Sequence, residues 1–90
     1  MKLFRTDGTH EEIELRTDLD TLQKFVGGYI EIYQFTDGSA LVVNEEGKLL
    51  DLPVNKTATA LTQVKRKPDL IVGDCLFLTR NEMRLMSIAS

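Results

Sequence analysis

Asn44, Lys48, Asn55, Lys56 and Thr57 are the residues of this chain whose types and spacing suit chemistry, and that chemistry is anion binding. Asn55 stands where a helix is expected to begin, and a helix start leaves backbone N–H groups unpaired beside a partial positive charge, which suits phosphate. Lys56 and Thr57 would add an ammonium and a hydroxyl in the first turn. Lysine is otherwise mildly unfavourable there. The same residues also make a plain cap with a surface lysine. No Gly-rich run precedes the helix, so this is not a phosphate-binding loop. The run Lys65-Arg66-Lys67 follows the helix, and Arg66 offers a further cation to an anionic ligand if it is not simply solvated. Tyr29, Tyr33 and Phe35 fall on one strand face. They form either a stacking platform for a base or the underside of a helix. Glu31 on that face disfavours a nucleic-acid backbone.

Other reactive side chains lack partners. His10 is the single histidine and sits beside a turn. Cys75 has neither a histidine nor a second cysteine near it, so no zinc pattern exists and a buried thiol is expected. Glu11, Glu12 and Glu14 read as a solvated strand edge. Asp69 and Asp74 are either paired carboxylates or, for Asp74 after Gly73, a turn residue. With no nucleophile–base pair and no ligand cluster, no catalytic residue, metal or cofactor is expected, and the chain should bind rather than convert.

The elements that position these residues follow from pattern. Asp7-Gly8 supplies a tight reversal, and Ile13 and Leu15 alternate with glutamates, giving an N-terminal hairpin. Thr17 or Asp18 caps a helix whose stripe is Leu19, Leu22, Phe25 and Val26, and Gly27 suits its C-terminal stop. Tyr29 to Phe35 is an aromatic and β-branched strand, with Tyr29, Glu31, Tyr33 and Phe35 on one face and Ile30, Ile32 and Gln34 on the other. Asp37-Gly38 turns it into Ala40 to Val43. A turn at Asn44-Glu45-Glu46-Gly47 leads to a third meander strand over Lys48 to Leu52. Pro53 ends that strand, and Asn55 caps a helix over 56–64 with Ala58 and Leu61 inward. The segment 69–79 is a strand broken by a bulge or two short strands across a turn. Asn81 caps a last helix carrying Met83, Leu85 and Met86. The fold class is α+β: a small antiparallel sheet, hairpin plus meander, packed with two or three short helices.

Length and charge bound the rest. Ninety residues make one domain, 1–90. The net charge of −3 argues against a nucleic-acid partner. No apolar run approaches the roughly 20 residues of a membrane helix, the N-terminus has no signal-peptide core, and a lone cysteine fits a reducing cytoplasm.

The order Val26-Gly27-Gly28-Tyr29-Ile30-Glu31, Asn44-Glu45-Glu46-Gly47-Lys48, Leu52-Pro53-Val54-Asn55, Ala58 and Ile71-Val72-Gly73-Asp74 resembles a family of small proteins of bacteriophages and other mobile elements, a domain of unknown function. The resemblance implies a mobile-element protein working in a bacterial cytoplasm, and it carries no catalytic residues. In that setting two functions are expected as alternatives. The first is an anti-defence protein that sequesters a phosphate-bearing nucleotide signal, using Asn44, Lys48, Asn55, Lys56, Thr57, Arg66, Tyr29 and Tyr33. So short a chain has little concavity of its own, so this function implies a homo-oligomer with a shared pocket. The second is an inhibitor that blocks a host protein through the acidic Glu11, Glu12, Glu14, Glu45 and Glu46.

Overall fold

Asp7-Gly8 and Asp37-Gly38 close two hairpins in the same way. Each glycine has φ of 90°, and each aspartate Oδ1 accepts the backbone N–H two residues on, from Thr9 and from Ser39, both at 2.9 Å. The first hairpin joins β1 (Lys2–Phe4) to β2 (His10–Glu12), and the second joins β3 (Ile30–Gln34) to β4 (Ala40–Asn44). The computed structural model describes residues 1–65 and 69–86. Its remaining elements are α1 (Leu19–Val26), α2 (Lys56–Lys65), β5 (Cys75–Leu78) and α3 (Arg80–Leu85).

The strands form one five-stranded antiparallel sheet in the order β2-β1-β5-β4-β3. β5 is central, between β1 and β4, and is reached from β4 by way of α2. The two hairpins are therefore stitched together by a strand that comes late in the chain. This is the α+β class expected from sequence.

Both faces of the sheet are covered. On one, Leu22 and Val26 of α1 pack with Met1, Leu3, Val42, Leu76 and Leu78, and Met83 of α3 lies against them. On the other, Ala58 of α2 and Ile71 pack with Phe4, Phe35, Leu41, Val43 and Cys75. That is why Ala40-Leu41-Val42-Val43 reads as a continuous apolar run: its residues are buried on alternate faces.

The helix boundaries show which local signals prevail. Asp18 caps α1, accepting from the Thr21 N–H at 3.2 Å, and Gly27 ends it in the left-handed conformation at φ 81°. α3 is capped by Thr79 rather than Asn81. Thr79 and Glu82 form a reciprocal capping box, with Thr79 N–H donating to Glu82 at 3.0 Å.

The expected third meander strand over Lys48 to Leu52 does not form. β5 already occupies the outer side of β4, so such a strand has no edge to join. The chain instead curls through turns, with Leu50 N–H donating to Glu46 O at 2.9 Å and Leu52 N–H to Gly47 O at 3.1 Å. Asp51 takes a positive φ of 57° within them. Pairing resumes at a single bridge, Val54 to Val72. The segment 69–79 is two short pieces across a turn at Gly73, whose φ is 79°. Among the described residues no helix is long and apolar enough to cross a membrane.

Candidate functional site

Asn55 is fully buried and its whole amide is in use. Oδ1 accepts from Ala58 N–H at 3.1 Å, which caps α2. Nδ2 donates to Phe4 O and Gly73 O, both at 2.9 Å, and approaches Cys75 Sγ at 3.6 Å. Asn44 is likewise committed. Its Nδ2 donates to Val26 O at 3.1 Å and its Oδ1 accepts from Glu46 N–H at 2.8 Å, tying the end of α1 to the start of the turn segment. These two asparagines organise backbone; their polar atoms are not offered to a ligand.

The other expected ligand residues divide. Tyr33 and Lys48 line one groove with the buried Asn44, on the α2 side of the sheet beside β3. Tyr33 meets Phe35 edge-on, ring centroids 5.6 Å apart. Tyr29 is exposed at the start of β3 and does not line the groove, and neither do Asn55, Lys56 or Thr57. Lys56 is exposed and Thr57 half-buried in the first turn of α2, which has no acidic residue. Arg66 lies outside the described residues.

The groove is acidic with apolar walls. Among the described residues its charged side chains are Glu31, Glu45 and Asp69 against Lys48, three negative charges to one positive, and the Lys48 ammonium already sits 3.6 Å from Asp69. Leu49, 86% exposed, and Leu70, 48% exposed, supply unusually bare apolar surface. The cavity is about 160 Å³. A pocket that engulfs a nucleotide-sized ligand needs roughly 300 Å³ or more, so this groove is only a shallow seat. Such a groove suits a cationic side chain with an aliphatic stem better than a phosphate. Sequence reasoning misses Glu31, Asp69, Leu49 and Leu70 as a set because Lys48 to Leu52 reads as a strand. The signal available was a paired leucine, Leu49-Leu50, directly after a Gly-Lys turn.

A broader cleft of about 380 Å³ lies where the end of α1, at Lys24 and Gly27, faces Leu52, Pro53 and Gly73-Asp74. None of the expected ligand residues lines it. Asp74 accepts from the Thr6 N–H at 3.0 Å, so it ties the first turn to the Gly73 turn. Asp69 lies in the acidic groove instead, and the two carboxylates are not a pair. The glutamates also separate. Glu11 and Glu12 are on β2, with Glu11 paired to Arg5, while Glu45 is at the far end of the sheet beside β3.

Among the described residues no group of three or more His, Cys, Asp or Glu side chains is placed to hold a metal. Burial pushes the Cys75 thiol up to about 12, with the neighbouring Asp74 charge adding to it, so it stays a neutral thiol near pH 7.

Fold and groove together define a small antiparallel α+β domain with a shallow acidic groove. The chain belongs to the family described as domain of unknown function DUF3846, whose model matches residues 2–89. No curated protein and no solved structure matches it.

Proposed function

We propose that this protein acts by stoichiometric binding, docking a basic surface of a partner protein into the groove beside β3. The observation that carries this is the charge of the groove: among the described residues Glu31, Glu45 and Asp69 outnumber Lys48, which is itself held by Asp69. Exposed Leu49 and Leu70 give the apolar contact that makes a charged surface adhere rather than merely attract. The motif order from Val26 to Asp74 supports a mobile-element origin. In a bacterial cytoplasm such a binder would block a host defence enzyme.

A second function is favoured by one observation: Lys56 and Thr57 open α2 with no acidic residue in the first turn. This suits sequestration of a phosphate-bearing nucleotide signal at that helix end. Because neither residue lines the groove, such a site would need a second copy of the chain to enclose its ligand.

Titration calorimetry separates the two. Oligolysine and a panel of cyclic and linear nucleotides are titrated into the parent, the Glu31→Lys/Glu45→Lys double variant and Lys56→Glu. Oligolysine should bind the parent in a salt-dependent manner and lose affinity on the double variant. Nucleotide binding that Lys56→Glu abolishes would transfer the function to the second site.

A further inference from the structure

The two edges of the sheet are built differently. β2 is only three residues long, all exposed, and carries His10, Glu11 and Glu12. Short, charged edge strands resist pairing with other chains. β3 is five residues long, Ile-Glu-Ile-Tyr-Gln, with one charge and no proline or lysine. Its backbone polarity can be read from its ends. Phe35 N–H donates to Ser39 O at 2.8 Å, and Glu45 N–H donates to Tyr29 O at 2.9 Å. Since the bonding direction alternates along an antiparallel pair, Tyr29, Glu31, Tyr33 and Phe35 turn their backbone groups toward β4. Ile30 and Ile32 turn theirs toward the outer edge, which no strand among the described residues occupies.

Side chains alternate in step. Glu31 and Tyr33 stand on the groove side, while Ile30 and Ile32 are half-buried on the α1 side, where Ile30 packs against the core. A strand laid along this edge would present one set of alternate side chains to Glu31, Glu45 and Asp69, and the other set to Ile30 and Ile32.

We propose that β3 accepts an extended segment of the partner as a sixth strand, a segment in which Lys or Arg alternates with apolar residues. The basic side chains lie over the acidic groove with their stems on Leu49 and Leu70, and the apolar ones cover Ile30 and Ile32. Charge complementarity selects this occupant. A second copy would bring a chain of net charge −3, and a second acidic groove, to the same edge. The proposal rests on the groove being a partner-binding surface.

The test uses a fluorescently labelled short peptide alternating Lys and Val, a peptide of the same composition with its lysines and valines in separate blocks, and the alternating peptide N-methylated on every second amide. Anisotropy gives affinity, and amide exchange at Ile30 and Ile32 reports the edge. The alternating peptide should bind and slow exchange at both residues. The blocked and N-methylated peptides should bind roughly tenfold more weakly or worse, since the first puts basic and apolar side chains on the wrong faces and the second loses ladder hydrogen bonds. Ile32→Pro should weaken the alternating peptide by a similar factor, because it removes an outward N–H and no bond to β4. If that variant fails to fold, the N-methylated peptide on the parent protein decides. Equal affinity for all three peptides overturns strand addition. The groove as a basic-partner surface then survives only if Glu31→Lys/Glu45→Lys still weakens binding. Failure of the double variant to weaken binding overturns the groove itself. No binding of any peptide, or self-association that Ile32→Pro abolishes, overturns the proposed occupant, the latter assigning the edge to a second copy.

Discussion

Asn55 Nδ2 donates to the Phe4 carbonyl oxygen at 2.9 Å, joining the start of α2 to β1 across 51 residues of sequence. The same amide serves Gly73 O, and its Oδ1 caps α2. One side chain therefore fixes three segments that meet over Cys75. Asn55→Ala removes the cap and leaves two carbonyls that had a buried donor, so it should cost about 3 kcal/mol or more. Asn55→Asp keeps the cap acceptor but turns a carboxylate oxygen toward both carbonyls, and should cost no less. Urea unfolding of both variants checks this; parent-like stability of Asn55→Asp would refute the assigned amide orientation.

Cys75 should be silent in the native state. Its thiol has no solvent exposure and its ionisation is held up to about 12 by burial, reinforced by Asp74. A disulfide reagent at pH 8 should label it only at the rate of global or local opening, and urea should restore full labelling. A native pKa above the unfolded value means that the unfolded chain releases the proton first. Stability is then whole below about pH 8.5 and declines as the pH rises toward 12. Cys75→Ala should flatten that alkaline decline in pH-dependent thermal melts.

Gly27 and Gly28 show how much of this structure the sequence carries. The helix stripe ending at Val26 and the following Gly pair located a left-handed stop, and Gly27 provides it. The strand pair around Asp37-Gly38 and the sides on which Tyr33 and Ile32 fall are equally local properties. What local pattern does not contain is which strand lies beside β4. That is settled by β5, thirty and more residues later, so Lys48 to Leu52 reads as a strand and the groove that its turns build stays hidden. Asn44 and Asn55 resembled ligand residues for a related reason: a polar side chain at a turn or helix start looks the same whether it serves a ligand or distant backbone. Gly27→Ala should cost about 1 kcal/mol through its positive φ. At Gly28 a Cβ would lie 3.0 Å from Asn44 Nδ2, so Gly28→Ala tests whether that amide can give way while keeping Val26 O. Thermal unfolding of both variants measures these costs.

Glu82 should shape the acid limb of stability. Partial burial pushes its carboxyl up, but hydrogen bonds from the Met1 ammonium, at 2.5 Å, and from Thr79 outweigh this and leave it below the ordinary 4.5. A depressed native pKa contributes stability that is present above pH 4.5 and lost as the pH falls through the lower native value. Glu82→Gln should lower the melting temperature at pH 7 and flatten the fall between about pH 5 and 3. An unchanged acid limb would place that dependence on Asp7 and Asp18, which hydrogen bonds from Thr9 and Thr21 also hold below the ordinary carboxylate range.

Lys56 gives the sharpest separation of structure from ligand binding. It is exposed in the first turn of α2, where a positive charge opposes the helix dipole and no acidic residue compensates it. Lys56→Glu should therefore stabilise the fold by about 0.5 kcal/mol at low salt, with the gain shrinking as salt screens it. Lys56 does not line the acidic groove, so affinity for a basic peptide should stay within about twofold of the parent. A nucleotide held at the helix start would lose roughly tenfold or more from the same change. Calorimetry on one variant thus reads both surfaces. A stabilised protein with intact basic-peptide binding points to the groove, whereas a stabilised protein that has lost a nucleotide points to the helix start.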